Sequence, residues 1–158
     1  MIMDAWEQAF GYWQKSNQAD PRAYALYERH YSYNPRKNRK SRQFMGAGEQ
    51  LVLLSSDATV LFGWKVQRYR KDGQTGIECS IFHKPRNAPG LASDLIRDAM
   101  SLAWARWPYQ ARMFTYINAG KVQSDNPGYC FLCAGWKRAG MSKNGLLLLE
   151  YDKHEVQP

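Results

Sequence analysis

The sequence is short of cysteine, of long apolar runs and of negative charge, and each shortage excludes something. Three cysteines, Cys79, Cys130 and Cys133, cannot pair completely within one chain. This argues against a small disulfide-stapled secreted scaffold and for a reducing, cytoplasmic setting. The longest strongly apolar run is residues 146–149, far too short to span a bilayer. The first ten residues carry Asp4 and Glu7, so no secretory leader is expected there. Acidic residues number 14 against 22 Lys and Arg, a formal charge of +8 and a pI near 9.5. Such an excess serves solubility or draws the chain to a polyanion: DNA, RNA, a phosphorylated cofactor or an acidic membrane surface.

What remains is enough to fold. A chain of 158 residues, 44% apolar and 14% aromatic, supports one domain with a real core, and we expect a single domain over residues 1–158. Residues 4–16 read as an amphipathic helix with Trp6, Phe10 and Trp13 on one stripe. Asp20-Pro21 reads as an N-cap followed by a first-turn proline. The second helix would bury Ala23, Leu26 and Tyr27, with His30 on the same face, and would end at Asn34-Pro35. These opening helices, residues 4–33, either cover the sheet or form a homodimer interface. Residues 49–55, 59–69 and 76–83 read as an antiparallel meander, with Lys71-Asp72-Gly73 as the second turn. After a turn at 85–90 comes a helix over 91–107, stopped by Pro108. A strand over 112–118, a short helix over 129–134, and a hairpin of 137–139 with 145–151 close the chain. The helix between strands 76–83 and 112–118 implies one parallel step in a mixed sheet.

Several residues could carry chemistry. His30-Tyr31 precedes a dense basic run; a His exchanges protons near neutrality and a Tyr stacks or donates, though both also pack at interfaces. Arg86 sits in a turn before a helix, where a guanidinium grips phosphate or carboxylate, or simply faces solvent. Asp125 is a helix N-cap or a proton acceptor, and Tyr129 is a packing residue or a proton donor. Residues 35–42 hold Arg36, Lys37, Arg39, Lys40 and Arg42 with no apolar residue. That run is an exposed loop, and with Tyr31, Tyr33 and Phe44 nearby it suits phosphates and unpaired bases. Cys130 and Cys133 form a lone C-x-x-C with no second ligand pair, so no metal site is expected.

The element order over residues 49–151 resembles the GNAT acyltransferases. The resemblance implies an α+β fold with a mixed, mostly antiparallel central sheet and flanking helices. In those enzymes the turn before the long helix holds a pyrophosphate, which here implicates Arg86, Asn87, Gly90, Leu91 and Ala92. The turn is one residue longer than the family pattern, and Pro89 withdraws an amide donor. Gly128-Tyr129 followed by Ala134-Gly135-Trp136 is similar to the family's C-terminal segment, in which the tyrosine protonates a leaving group. A narrower resemblance joins His30-Tyr31-Ser32, the basic loop, the turn from Phe82 to Asn87, and residues 124–129. Together these resemble the phage Mom-type DNA-modification proteins, which convert adenine N6 to a carbamoylmethyl derivative and so block host restriction. That resemblance implies catalytic roles for His30, Tyr31, Arg86, Asp125 and Tyr129, and a host-cytoplasmic location. It implies an activated acyl donor, either an acyl-CoA or a glycyl-tRNA, with DNA as partner and tRNA as a second one. A glycyl group placed on N6 could migrate through its own amine to give the carbamoylmethyl product. Two rivals stand beside this reading. One is a conventional N-acetyltransferase acting on a protein or small-molecule amine. The other is a non-catalytic nucleic-acid-binding protein on the same scaffold. No basic amphipathic helix supports a membrane-surface role.

Overall fold

The computed structural model describes residues 12–34, 44–121 and 127–154. Seven strands form one sheet: β1 (Trp13–Ser16), β2 (Glu49–Ser55), β3 (Leu61–Val66), β4 (Ile77–His83), β5 (Arg112–Ile117), β6 (Lys137–Met141) and β7 (Leu147–Asp152). Their order is β1-β2-β3-β4-β5-β7-β6. Every pairing is antiparallel except β4 with β5. The α+β architecture and the single parallel step are as the sequence pattern implies.

Among the described residues three helices accompany the sheet: α1 (Pro21–Glu28), α2 (Ala92–Arg106) and α3 (Tyr129–Cys133). Asp20 caps α1, accepting from the Arg22 N–H at 2.9 Å, and Pro21 fills the first turn. Helix α2 ends at Trp107, one residue before Pro108.

The alternation along the strands sorts the core into two layers. One face carries Leu51, Leu53, Phe62, Trp64, Ile77 and Met113 against Ile96, Ala99 and Ala103 of α2. The other packs Val52, Leu54, Leu61 and Ile81 against Ala23, Leu26 and Tyr27 of α1. Beyond the reach of α1, Phe114 is fully buried under two guanidinium groups. Arg70 and Arg112 each stand 5.0 Å from its ring centroid.

Three readings from sequence need correction. Residues 13–16 are a strand, not the end of a helix, and residues 1–11 lie outside the described residues. The open edge of β2 needs partners for its N–H and C=O groups, and Trp13–Ser16 supplies them in register with Ser55 to Val52. Pairing there also seats Trp13 edge-on to Phe62, 6.1 Å between centroids. Helix α1 stops at Glu28, before Asn34-Pro35, and His30 lies in the turns that follow. Strand β3 leaves the sheet at Val66 rather than running to Tyr69. Arg70 draws residues 67–76 over the sheet instead, bonding Asp72 at 2.7 Å and Glu78 at 2.6 Å.

Candidate active site between the diverging strands

Strands β4 and β5 part company in mid-sheet. They pair only at Ile77↔Met113, Glu78↔Phe114 and Cys79↔Thr115. The Thr115 hydroxyl donates to the Cys79 carbonyl at 2.8 Å on that last rung. Beyond it β4 stays with β3 and β5 stays with β7, so a gap opens between them. A bulge drives the divergence. Gly63 faces Ile81 but Trp64 faces Cys79, which leaves Ser80 as an extra residue on β4.

A cavity of about 160 Å³ fills the gap. Its walls include Ser80 and Phe82 of β4, Thr115 and Tyr116 of β5, and Gly128 and Cys130 at the start of α3. A cavity this size is narrow beside drug-sized clefts of roughly 300–1,000 Å³, so it suits a linear chain. The Ser80 hydroxyl is buried in this wall with no hydrogen-bond partner among the described residues. A buried unpaired hydroxyl costs about 1–3 kcal/mol, which a bound carbonyl oxygen would relieve. Gly128 must be glycine here: its φ is +80°, and a Cβ would stand 2.5 Å from Leu149 Cδ1.

His30 and Tyr31 close the mouth of the gap. Their rings lie 4.2 Å apart. His30 Nδ1 accepts from the Ser32 N–H at 3.2 Å and meets Ser32 Oγ at 2.7 Å. The His30 ring lies 5.9 Å from that of His83 at the end of β4. His30 and Tyr31 line the gap together with side chains of the two parted strands. Burial is the main reason His30 is pushed down to about 4, with neighbouring His83 adding to the shift. Burial also lowers His83, helped by Arg29, and raises Tyr31 and Cys130. His30 is therefore neutral at pH 7, with Nδ1 engaged by Ser32.

A pH prediction follows from this burial. An unfolded His30 takes up a proton near pH 6.5; the folded one refuses it until about pH 4. The folded state therefore loses stability as pH falls through that window, and His83 acts with the same sign. With allowance for partial exposure, His30 contributes about 2 kcal/mol to the loss. Urea midpoints of wild type and His30→Asn from pH 7 to 4 should diverge, the variant showing the flatter curve. Parallel curves would contradict it.

The other sequence candidates are more scattered. Arg86, Asn87 and Gly90 are exposed on the turn between β4 and α2, away from the cavity walls. Lys84 Nζ braces that turn through the Ala88 carbonyl at 3.0 Å, and Gly90 takes φ +99°. Leu91 is 65% exposed and heads α2 without a side-chain cap, with Ala92 next to it, and the Asp94 N–H turns back to the Leu91 carbonyl at 3.0 Å. Tyr129 is 60% exposed and is not on the cavity wall; its hydroxyl pairs with Cys133. The five cations of the basic loop and Asp125 lie outside the described residues. Among the described residues no group of three or more His, Cys, Asp or Glu could hold a metal, and no helix is long and apolar enough to cross a membrane.

Sequence reasoning missed Ser80, Thr115, Tyr116 and the cavity role of Cys130. No local signal marks them, because the bulge that assembles them is a matter of register between strands. It also passed over Arg68-Tyr69-Arg70-Lys71, a basic run around a tyrosine that is 84% exposed.

No family model matches the sequence, and no curated protein is similar to it at the sequence level. Solved structures match it closely in shape. Aminoglycoside acetyltransferase AAC(6')-Ib in complex with coenzyme A superposes with a TM-score of 0.64 at 11% identity, over 90% of this chain and 95% of that one. Aminoglycoside 6'-acetyltransferase type Ii gives 0.60 at 12% identity, over 92% and 99%. The GNAT domain of S. lividans PAT gives 0.60 at 16% identity, over 89% of each. With its bulged β4, its parted parallel strands and these neighbours, the chain has the GNAT fold.

Proposed function

We propose that this chain is an acyltransferase that takes an acyl group from a coenzyme A thioester and places it on an amine nitrogen of nucleic acid. The observation that carries the donor half is the narrow cavity between β4 and β5, with the unpartnered Ser80 hydroxyl in its wall. A thioester threaded there would set its carbonyl oxygen against Ser80 Oγ. The nitrogen attacks the carbonyl carbon, the new C–N bond forms as the C–S bond breaks, and the proton leaving nitrogen ends on the thiolate sulfur. Asp125 is our candidate to carry that proton, and Arg86 with the α2 N-terminus to hold the donor's phosphates. His30 and Tyr31 keep the gap open at fixed width. The coenzyme A carried by a structural neighbour favours this donor over glycyl-tRNA.

Charge supports the acceptor half. The neighbours named above include enzymes for aminoglycosides, which are polycations. This chain carries +8, and among the described residues no carboxylate lines its cavity. Like charge repels a polycation and attracts a polyanion. Adenine N6 in DNA is the finer form of this proposal. A base inside a duplex would have to flip out or come from a single-stranded stretch. The conventional reading, acetyl transfer to a small-molecule or protein amine, shares the cavity and differs only in the acceptor.

Thiol release from acetyl-CoA distinguishes them. Single-stranded DNA should accelerate release and polyamines should not; the reverse result would give the acceptor to a small amine. Nucleic-acid affinity should also fall with salt at a log–log slope of roughly −4 to −5 if all five loop cations contact duplex phosphates. A slope near zero would remove the basic loop from the interface.

A further inference from the structure

A second concavity lies on the sheet face that α1 leaves uncovered. It is a groove of about 570 Å³ between the 67–76 loop and the β6–β7 turn at residues 142–146. Tyr116 lines both this groove and the donor cavity, so the two share a wall. Its floor is apolar, with Leu146, Leu148 and Met141, the last 67% exposed. Its rim carries Lys71 and Lys143, neither ion-paired among the described residues, and the amides of Gln74 and Asn144.

Among the described residues the groove holds one carboxylate, and it is spent. Asp72 accepts from Arg70 Nε at 2.9 Å and Nη2 at 2.7 Å, from the Gln74 N–H at 3.0 Å, and from the Tyr116 hydroxyl at 3.1 Å. Hydrogen bonds from Arg70 are the main reason its acid strength rises far above that of an ordinary carboxyl. Nothing is left to hold an ammonium group. What the groove offers is a flat apolar floor, amide donors and acceptors, and two free cations. That set matches a planar heterocycle joined to phosphate. Beside it, Arg68 and Tyr69 stand exposed three and two residues before Lys71, an aromatic platform among positive charges.

We propose that this groove is the acceptor site and seats one unpaired nucleotide of a single strand, with Tyr69 stacking on a neighbouring base. The proposal rests on the nucleic-acid reading above for its ligand class, and adds where and by which residues the strand is held. Seated against Tyr116, the base has its exocyclic amine at the wall of the donor cavity.

Fluorescence anisotropy with a labelled twelve-residue deoxyadenosine strand tests it. Lys143→Glu should weaken binding at least tenfold and Tyr69→Ala by about 5- to 100-fold, the range for loss of one stacked base. Lys15→Glu makes the same charge change on β1, at the far edge of the sheet, and should stay within about twofold of wild type. All three side chains are exposed, and thermal melts confirm that the variants stay folded. If wild type binds the strand and neither groove variant weakens it, the groove is not the site while the nucleic-acid reading survives. If wild type binds no strand at all, that reading fails and takes this inference with it. If AMP displaces the strand at equal concentration, the occupant is a free nucleotide and the strand proposal is overturned.

Discussion

Cys130→Trp should abolish acyl transfer, at least 100-fold, while leaving the protein folded. Cys130 lies on the wall of the β4–β5 cavity, half-buried, at the start of α3. An indole in its place occupies the space that a thioester chain needs. Cys130 packs only at the edge of the core whose buried members Ile117, Phe131 and Leu149 are left unchanged. Calorimetric titration with acetyl-CoA should lose its heat in the variant, and the thermal midpoint should move by only a few degrees. Retained binding with a full transfer rate would show that the donor lies elsewhere.

Trp64→Ala should act in the opposite way, through stability. Trp64 is fully buried at the centre of the sheet. Its indole N–H donates to the Ala99 carbonyl of α2 at 3.0 Å, and its ring lies 4.6 Å from that of Phe62. Removing the ring opens a cavity between sheet and helix and takes away the second of the two hydrogen bonds to the Ala99 carbonyl, the helical one remaining. Large-to-small changes of this kind cost about 3–5 kcal/mol. Against a total of roughly 5–15 kcal/mol that is a large share, and the midpoint should fall by about 10 °C or more. Trp64→Phe keeps most of the volume and should cost markedly less. Equal midpoints for Trp64→Ala and wild type would contradict the place given to this residue.

Much of the scaffold was legible in the sequence because the local signals agree with the tertiary ones. Asp20-Pro21 caps α1, Pro108 stops α2, and Lys143-Asn144-Gly145 turns the last hairpin with Gly145 at φ +81°. Strand β2 holds a continuous apolar run, Leu51 to Leu54, buried on both faces and bounded by turns, so its bounds match the sequence reading of 49–55. Legibility fails where a distant partner decides. Trp13 has helical spacing from Trp6 and Phe10, yet the unpaired edge of β2 makes residues 13–16 a strand. The β-rich run from Thr59 reads on to Tyr69, yet β3 ends at Val66, and the next residues turn so that Arg70 can bond Asp72 and Glu78. The site follows the same rule. His30 and Tyr31 were visible as a pair, but not that they would line the gap between two parted strands. Ser80 looks like any strand serine until the register across Gly63 and Trp64 leaves it without a partner. Arg86 and Tyr129 stand out in sequence, and the structure sets both outside the cavity wall.

The most direct test of the account is nucleoside mass spectrometry after incubating the protein with carbonyl-labelled acetyl-CoA and single-stranded DNA, beside the Cys130→Trp variant. We expect label on adenosine with wild type and none with the variant. Unlabelled nucleosides from a folded protein that consumes acetyl-CoA would contradict a nucleic-acid acceptor and leave a conventional amine acetyltransferase.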